Sequence, residues 1–214
     1  MSAAKSQDLS APAAPRRRTP QQERSRARVE AILAAAHELV VEAGSDALKM
    51  SDIAARAGVP IGSLYQYFPD KPAILRELAT RFMTRVRDML REGMGGLATR
   101  EAALERSDAL LLAYYRFFQD EPDVRDIWAA TQSDKALQQL DIEDSRQNGA
   151  LMAAGLAPLA APADRARVES MCFLFAHLAG AAIRLAIAVD PDEGDRLIEE
   201  LRLTMRHRLA EVLR

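Results

Sequence analysis

The sequence predicts an all-α protein. Apolar residues recur at helical spacing through most of the 214 residues, and runs of β-branched residues with a period of two are missing. Glycine and proline fall mainly between these segments, where they are expected to end one helix or begin the next. A chain of this length can bury a core in one large or two small domains. We expect a small N-terminal helical domain and a larger helical domain after it.

The N-terminal end is basic, whereas the remainder of the chain is acidic. Residues 1–21 are rich in Ala, Ser, Pro and Gln without periodicity, which predicts a disordered arm. The basic residues up to position 28 are Lys5, Arg16, Arg17, Arg18, Arg24, Arg26 and Arg28, against the acidic Asp8 and Glu23. Since the net charge of the whole chain is −2, this asymmetry favours nucleic-acid contact at one end. For the basic residues 16–18, a solvated tail is as good an interpretation as contact with nucleic acid.

Two helices and a tight turn are predicted next. Apolar spacing indicates a first helix over residues 24–43, ended by Gly44. Ser51 can cap a short second helix, and the negative charge of Asp52 suits the first turn of that helix. Gly58 is expected to end it, because glycine adopts the left-handed conformation without a steric penalty.

A third helix is predicted over residues 61–67, since Pro60 suits the first position of a helix. Ile61, Leu64 and Phe68 share one face, which we expect to pack inward. The other side chains of this helix are left to face outward. A short helix, a tight turn and a second short helix are the arrangement with which helix-turn-helix proteins read DNA.

This segment resembles the N-terminal DNA-binding domain of the tetracycline-repressor (TetR) family. The residues that carry the resemblance are Asp52, Ile53, Ala54, Ala57, Gly58, Val59, Gly62, Ser63, Leu64, Tyr65, Tyr67, Phe68 and Lys71. Pro60 departs from the Ser or Thr usual in the family, and Ser63 replaces Thr but keeps the hydroxyl. The resemblance extends back into the first helix and says little about the C-terminal two-thirds.

The resemblance implies a partner, double-stranded DNA carrying a pseudo-palindromic operator. The expected contact residues are Arg24, Arg28, Ser51, Ile61, Gly62, Ser63, Tyr65, Gln66, Tyr67 and Lys71. Gln66 can pair bidentately with adenine, and Gly62 lets its helix lie deep in the major groove. Lys71 resembles the family lysine that holds a phosphate at a helix N-terminus. Ser63, Gln66 and either Tyr65 or Ile61 can read sequence, whereas the others position the protein.

The remainder of the chain is predicted to form six further helices. They span residues 72–93, 101–119, 122–128, 134–154, 163–189 and 191–213, with a linker at 155–162. The predicted domains are the arm at 1–21, a helix-turn-helix domain at 22–71 and an effector-binding and dimerisation domain at 72–214.

The last two helices predict a homodimer. One stripe of the penultimate helix carries Met171, Leu174, Phe175, Leu178, Ala182, Leu185 and Val189, and a second stripe carries small and branched residues. One apolar face is therefore left over once the core of the subunit is filled, and a two-fold four-helix interface would cover it. TetR-family members dimerise through these helices. Burial of both faces within one subunit stays open as the alternative.

The resemblance further implies a ligand site enclosed by the middle helices. The candidates are Phe82, Met89, Tyr114, Tyr115, Phe118, Trp128, Met152, Phe173 and His177. This mostly apolar set predicts a hydrophobic or amphipathic small molecule as effector. A core role is the alternative for each of them, and for His177 it is the default. Arg184 could balance an acidic ligand or pair with an acid across the dimer.

Patterns of catalysis and metal binding are missing from the sequence. The three histidines lie on different predicted helices without metal-ligand spacing, and neither a glycine-rich phosphate loop nor a nucleophile elbow is present. Asp141, Glu143 and Asp144 lack the register of a calcium loop, so we interpret this cluster as a solvated helix face. We expect no catalysis, no metal and no cofactor.

The composition predicts a cytoplasmic location. The start lacks the continuous apolar segment of a secretory signal. The apolar stretch at 172–189 is interrupted by His177 and Arg184, so we expect no membrane span. A lone cysteine, Cys172, suits a reducing compartment and is expected to be a packing residue.

These observations predict a ligand-responsive, homodimeric, DNA-binding transcriptional regulator, most simply a repressor. One alternative is a helix-turn-helix regulator that a protein partner controls, or that acts without a small-molecule effector. A second is a helical-bundle enzyme or carrier that only shares the helix-turn-helix shape.

Overall fold

The computed structural model describes residues 20–130 and 135–214, and the regular structure in this part of the chain is helical. The helices are α1 (Pro20–Ala47), α2 (Met50–Arg56), α3 (Ile61–Tyr67), α4 (Lys71–Gly93), α5 (Arg100–Asp120), α6 (Pro122–Ala130), α7 (Lys135–Leu156), α8 (Arg165–Ala186) and α9 (Pro191–Val212). The all-α prediction is confirmed. Residues 16–18, with most of the predicted arm, lie outside the described residues.

The turns around α2 follow the glycines, but the start of the helix differs from the prediction. Gly44 (φ 80°) breaks the helical path of α1, and Gly58 (φ 65°) adopts the predicted left-handed conformation after α2. The prediction that Ser51 caps α2 is wrong. Lys49, extended at φ −122°, precedes the helix, so Ser51 lies inside its first turn and its hydroxyl donates to Asp52 Oδ1 at 3.0 Å.

The first three helices and the beginning of α4 surround one hydrophobic core, which we call the head core. Its buried residues include Ile32, Leu33, Ala36, Val40, Ile53, Ala54, Leu64, Phe68, Ile74, Leu75, Leu78, Ala79 and Ile127. Ile61 is 44% exposed, so its predicted inward packing is wrong. Leu64 is the buried residue of α3, because α3 meets the head core at its middle and leaves its first turn in solvent.

The second half of α4 and the helices from α5 onward surround a larger core, which we call the body core. Its buried residues include Phe82, Val86, Leu111, Phe118, Trp128, Leu156, Cys172, Phe175, Ile183, Ile198 and Leu209. α7 and α8 cross closely, since a Cβ built on Gly149 would lie 2.5 Å from the Cα of Phe173. Two short 3₁₀ turns, Ala157–Leu159 and Pro162–Asp164, replace most of the predicted linker.

One stretch of the described residues, Pro162–Ala186, is long and apolar enough to cross a membrane if only length and composition are considered. Most of it is α8, which packs against both α7 and α9. Its buried side chains, such as Cys172 and Ile183, belong to the body core. Burial raises the pKa of the Cys172 thiol to about 12, so this thiol stays protonated and acts as a packing group.

Candidate functional site

The exposed face of α3 forms the candidate nucleic-acid interface. Buried Leu64 anchors the helix to the head core, while Ile61 is 44% and Tyr65 51% exposed. Gln66 is also exposed, one residue further along the helix. A Cβ built on Gly62 meets nothing within 4 Å, so the backbone is open to close approach on this side. The three side chains therefore project from a helix anchored in the head core, and none of the described residues covers Gly62.

The beginning of α1 brings positive charge beside α3. Arg24 and Arg28 are exposed, as the sequence predicts for phosphate contacts. The hydroxyl of Tyr67 hydrogen-bonds to Ser25, which lowers its pKa, and the neighbouring Arg28 lowers the pKa further. Tyr67 is half-buried, and its hydrogen bond to Ser25 joins the end of α3 to α1. A contact with DNA would be additional to this role.

Lys71 has protein partners that its sequence position did not reveal. Its Nζ donates to the carbonyl oxygens of Ser45 and Asp46, at 3.3 and 3.2 Å. These carbonyls lie at the end of α1, where the helix dipole favours a cation. Lys71 therefore ties the first residue of α4 to the end of α1, and a phosphate contact would use the same ammonium group.

A cavity of about 50 Å³ lies in the body core, enclosed by α4 to α9. Its apolar lining includes Met89, Leu110, Leu111, Trp128, Met152 and Met205. Its polar lining consists of Ser107, Tyr114, Asp141, Asp144, Ser145 and Asn148. The lining of the cavity is therefore partly apolar and partly polar, and most of its polar residues come from α7.

Four of the nine predicted effector residues line this cavity: Met89, Tyr114, Trp128 and Met152. The other five, Phe82, Tyr115, Phe118, Phe173 and His177, lie outside its lining. Phe82 and Phe118 pack behind Trp128, with ring centroids 5.2 and 6.1 Å from its own. His177 Nδ1 forms a hydrogen bond of 3.0 Å with the hydroxyl of Ser145, which makes it a partnered packing residue.

Two residues of the acidic cluster of α7, Asp141 and Asp144, contradict the expectation of a solvated helix face, whereas Glu143 is exposed as expected. Asp141 is 4% and Asp144 5% exposed, and both line the cavity, whereas Ile142 is 37% exposed. The reason is the packing of α7 against α4 and α8, which buries the face carrying the two aspartates. Buried Leu137 and Met152 lie four residues before Asp141 and four after Asn148, and this spacing was the signal available in the sequence.

Partners from other helices hold these carboxylates. Arg87 of α4 forms an ion pair with Asp144, and Asn148 Nδ2 donates to Asp144 Oδ2 at 2.8 Å. Burial raises the pKa of Asp144 to about 6, because it and the nearby charge of Asp141 outweigh the opposite effects of Arg87 and Asn148. Arg184 of α8 lies 4.0 Å from Asp141, a longer ion pair. The sequence suggested that Arg184 could pair with an acid across the dimer, and the structure gives it an acidic partner, Asp141, within its own subunit.

Comparison with known proteins assigns the family. The family model described as "Tetracyclin repressor-like, C-terminal domain" matches residues 101–213, and that of "Bacterial regulatory proteins, tetR family" matches residues 32–78. The chain belongs to the TetR family. The resemblance seen in the sequence is confirmed, and so is the expectation of a regulator rather than an enzyme.

Individual relatives agree with this assignment. A TetR-family regulator from Streptomyces coelicolor is 27% identical, with a TM-score of 0.66 over 87% of this chain and 99% of that one. The complex of SmeT with triclosan has the same fold, at 18% identity and a TM-score of 0.63 over 88% of this chain and 92% of that one. YvdT of Bacillus subtilis (strain 168), an uncharacterised HTH-type transcriptional regulator, is 36% identical over 67 residues. That match covers 31% of this chain and 34% of YvdT.

This TetR-family chain also exposes apolar side chains on its last two helices. Leu174, Leu178 and Leu185 of α8 are 54%, 39% and 53% exposed, and Leu203 of α9 is 46% exposed. The spacing of the α8 residues places them on one side of that helix. This side lies opposite buried Cys172 and Ile183, so the subunit core leaves it uncovered.

Proposed function

We propose that this TetR-family protein is a cytoplasmic, homodimeric repressor that a small molecule releases from a pseudo-palindromic operator. The observation that carries the proposal is the face of α3, on which Ile61, Tyr65 and Gln66 project into solvent from buried Leu64. Such a face, beside the exposed Arg24 and Arg28, matches the needs of a helix that reads base edges while its neighbours hold phosphates. The predicted domains at 1–21, 22–71 and 72–214 belong to this proposal.

Dimerisation is supported by the exposed leucines of α8 and α9. An exposed apolar stripe on two adjacent helices suits a two-fold contact in which the same face meets itself. A dimer would present two α3 helices to half-sites about 34 Å apart along DNA. Monomeric protein at micromolar concentration would contradict this part of the proposal.

The small-molecule part is supported by the cavity and by the ligand of a relative with the same fold. SmeT forms a complex with triclosan. Here Trp128 lines the cavity and packs edge-on against Phe82 of α4, with centroids 5.2 Å apart. A ligand that displaces the Trp128 ring would therefore move α4, which leads directly into the head.

Release from the operator would be a shift between two states of the dimer. The ligand must bind more tightly to the state in which the α3 helices lie too far apart for two half-sites. α6 supplies a second connection, since Ser45 N–H donates to Asp126 Oδ2 at 3.2 Å. Both connections start at α6, on which Trp128 lies.

A second candidate is a regulator that a protein partner controls without a small molecule. The size of the cavity favours it, because about 50 Å³ is well below the roughly 300 Å³ or more of typical ligand pockets. Three methionines in the lining, Met89, Met152 and Met205, argue against it, since flexible side chains let a cavity expand.

The test is selection of genomic DNA fragments by the purified full-length protein at near-physiological salt. Recovery of one short pseudo-palindrome supports the proposal, and recovery of fragments without a shared motif rejects sequence-specific reading. Gln66→Ala should then lose about tenfold in affinity for the recovered site. Gln147→Ala, which removes an exposed glutamine from α7, is the matched control and should leave affinity unchanged.

A further inference from the structure

Asn148, which lines the cavity, has a buried amide oxygen without a hydrogen-bond partner among the described residues. The residue is 7% exposed, and this oxygen is its Oδ1. Its Nδ2 already donates to Asp144, so the orientation of the amide is fixed by that contact. A buried acceptor left unsatisfied costs roughly 1–3 kcal/mol. A ligand that brings a donor to this oxygen would remove that cost.

Two carboxylates lie on the same face of α7 as this oxygen. Asp141 and Asp144 precede Asn148 by seven and four residues, so all three project toward the cavity. Asp144 is held closely by Arg87. Asp141 is 4.0 Å from Arg184 NH1, which is buried and makes no hydrogen bond with the described residues. The Asp141–Arg184 contact is therefore longer than that of a hydrogen-bonded ion pair.

The hydroxyl of Tyr114 reports the sign of the charge that surrounds the cavity. Burial raises its pKa, and the charges of Asp144 and Asp141 raise it further, against the smaller opposite effect of Arg184. At this hydroxyl the two carboxylates therefore outweigh Arg184. With Asp141 and Asp144 in the lining, the cavity favours a cationic ligand over an anionic one.

The apolar part of the lining suits the hydrocarbon part of a ligand. Trp128 and the methionines belong to it. The guanidinium of Arg184 lies 6.0 Å from the Trp128 ring centroid, at the outer limit of a cation–π contact. The side chain of Arg184 is 23% exposed, so it can turn toward solvent when another cation enters.

We propose that the effector is an amphipathic organic cation, a protonated amine whose ammonium group donates to Asn148 Oδ1 and Asp141 while its hydrocarbon part packs against Trp128 and Met152. This inference rests on the proposed role of the cavity as the effector site, and it specifies the chemical class that the apolar candidates alone left open. A carboxylate ligand would face Asp141 and Asp144 in the lining and would bind less tightly.

Three probes of equal length and different charge test this inference on the full-length protein: octylamine, octanol and octanoate. Trp128 is the single tryptophan, so intrinsic fluorescence reports directly on the cavity. Octylamine should bind saturably and about tenfold or more tightly than octanol, since a hydrogen bond to a charged group is worth more than a neutral one. Octanoate should bind most weakly. Equal or tighter binding of octanol or octanoate, or no saturable octylamine signal, would overturn the cationic class.

Variants separate the charge effect from general damage to the fold. Asp141→Asn and Asn148→Leu should each reduce the preference for octylamine over octanol by about tenfold and retain octanol binding. Glu143→Gln removes an exposed carboxylate from the same helix and should keep the preference. A preference that survives Asp141→Asn and Asn148→Leu would overturn the assigned contacts.

Operator binding, measured separately without probe, keeps the two proposals apart. A protein that binds octylamine in the cavity but selects no operator would refute the repressor and leave the ligand class standing. A protein that binds an operator and is released by octanol or octanoate, without preference for octylamine, would refute the ligand class alone.

Discussion

Ile127 and Trp128 are adjacent in the chain and lie in different hydrophobic cores. Ile127 is 5% exposed and belongs to the head core, whereas Trp128 is 3% exposed and belongs to the body core. α6 therefore joins the head to the cavity wall within one helical turn. The link is reinforced by Asp126, which accepts a hydrogen bond from the backbone of Ser45 at the end of α1.

Ile127→Ala tests how firmly α6 holds the head. Removing a buried isoleucine should lower the free energy of unfolding by about 3 kcal/mol, because transfer free energy is lost and a cavity remains in the head core. Urea denaturation measures this change. Ile142→Ala, at a 37% exposed position of α7, is the control and should cost about 1 kcal/mol or less. Equal losses for the two variants would contradict the anchoring role of Ile127.

Lys71→Ala tests the two roles available to the Lys71 ammonium. If the Lys71 ammonium binds a phosphate of the operator, the slope of log affinity against log salt concentration should be smaller by about one in the variant. We expect this decrease, measured by fluorescence anisotropy over a range of salt concentrations. Lys135→Ala, an exposed lysine on α7, should leave the slope unchanged. An unchanged slope with a lower unfolding free energy would confine Lys71 to its contacts with the Ser45 and Asp46 carbonyls.

Leu178→Arg tests the proposed dimer face. Placing a charge in the middle of the exposed α8 stripe should convert dimer to monomer, because the guanidinium would be buried opposite its own copy. Sedimentation equilibrium gives the mass directly. Val41→Arg changes a 62% exposed residue of the head in the same way and should remain dimeric. Dimers of Leu178→Arg as stable as those of the unchanged protein would place the interface elsewhere.

The raised pKa of Asp144 predicts a pH dependence of stability. Its pKa is about 6 in the folded protein against the ordinary 3.8 of an aspartate, so the folded state binds the proton more tightly. The contribution of this group to stability is therefore full below pH 3.8 and is lost as pH rises through 6, on the order of 3 kcal/mol.

The measurement compares the unchanged protein with Asp144→Asn by urea denaturation between pH 4 and 7. The stability of the unchanged protein relative to the variant should fall as pH rises, since the asparagine does not titrate. Glu143→Gln, at an exposed carboxylate, should show no such trend. A difference in stability between the two proteins that does not change with pH across this range would show that the pKa of Asp144 is not raised.

Much of the head was predictable because its rules are local. α3 occupies the predicted residues 61–67, and Gly58 takes the predicted left-handed conformation. Gly44 breaks the helical path of α1 at the residue where the sequence predicts the end of that helix. The start of α2 was not predictable in the same way, because Ser51 and Lys49 both precede an apolar stripe at acceptable spacing. Lys49 proved to be the last extended residue, which placed the hydroxyl of Ser51 two residues too late to cap the helix.

In the body, the spacing of residues within one helix does not predict which polar residues are buried. Helical periodicity predicted α7, but the burial of Asp144 on that helix depends on its ion pair with Arg87. The two residues are 57 positions apart in sequence. A carboxylate surrounded by polar residues has the same local signature on a solvated face and on a buried one, since only the partner helices differ.

The sequence by itself determined the helical class, the helix-turn-helix and the apolar faces of the last two helices, because each follows from spacing within a short segment. The tertiary structure alone decided which of the predicted effector residues line the cavity, that Asp141 and Asp144 face it, and that Lys71 holds the end of α1. The physical reason is that burial and pairing of charge are set by contacts between helices distant in sequence, and the spacing within one helix does not identify the partners that the other helices supply.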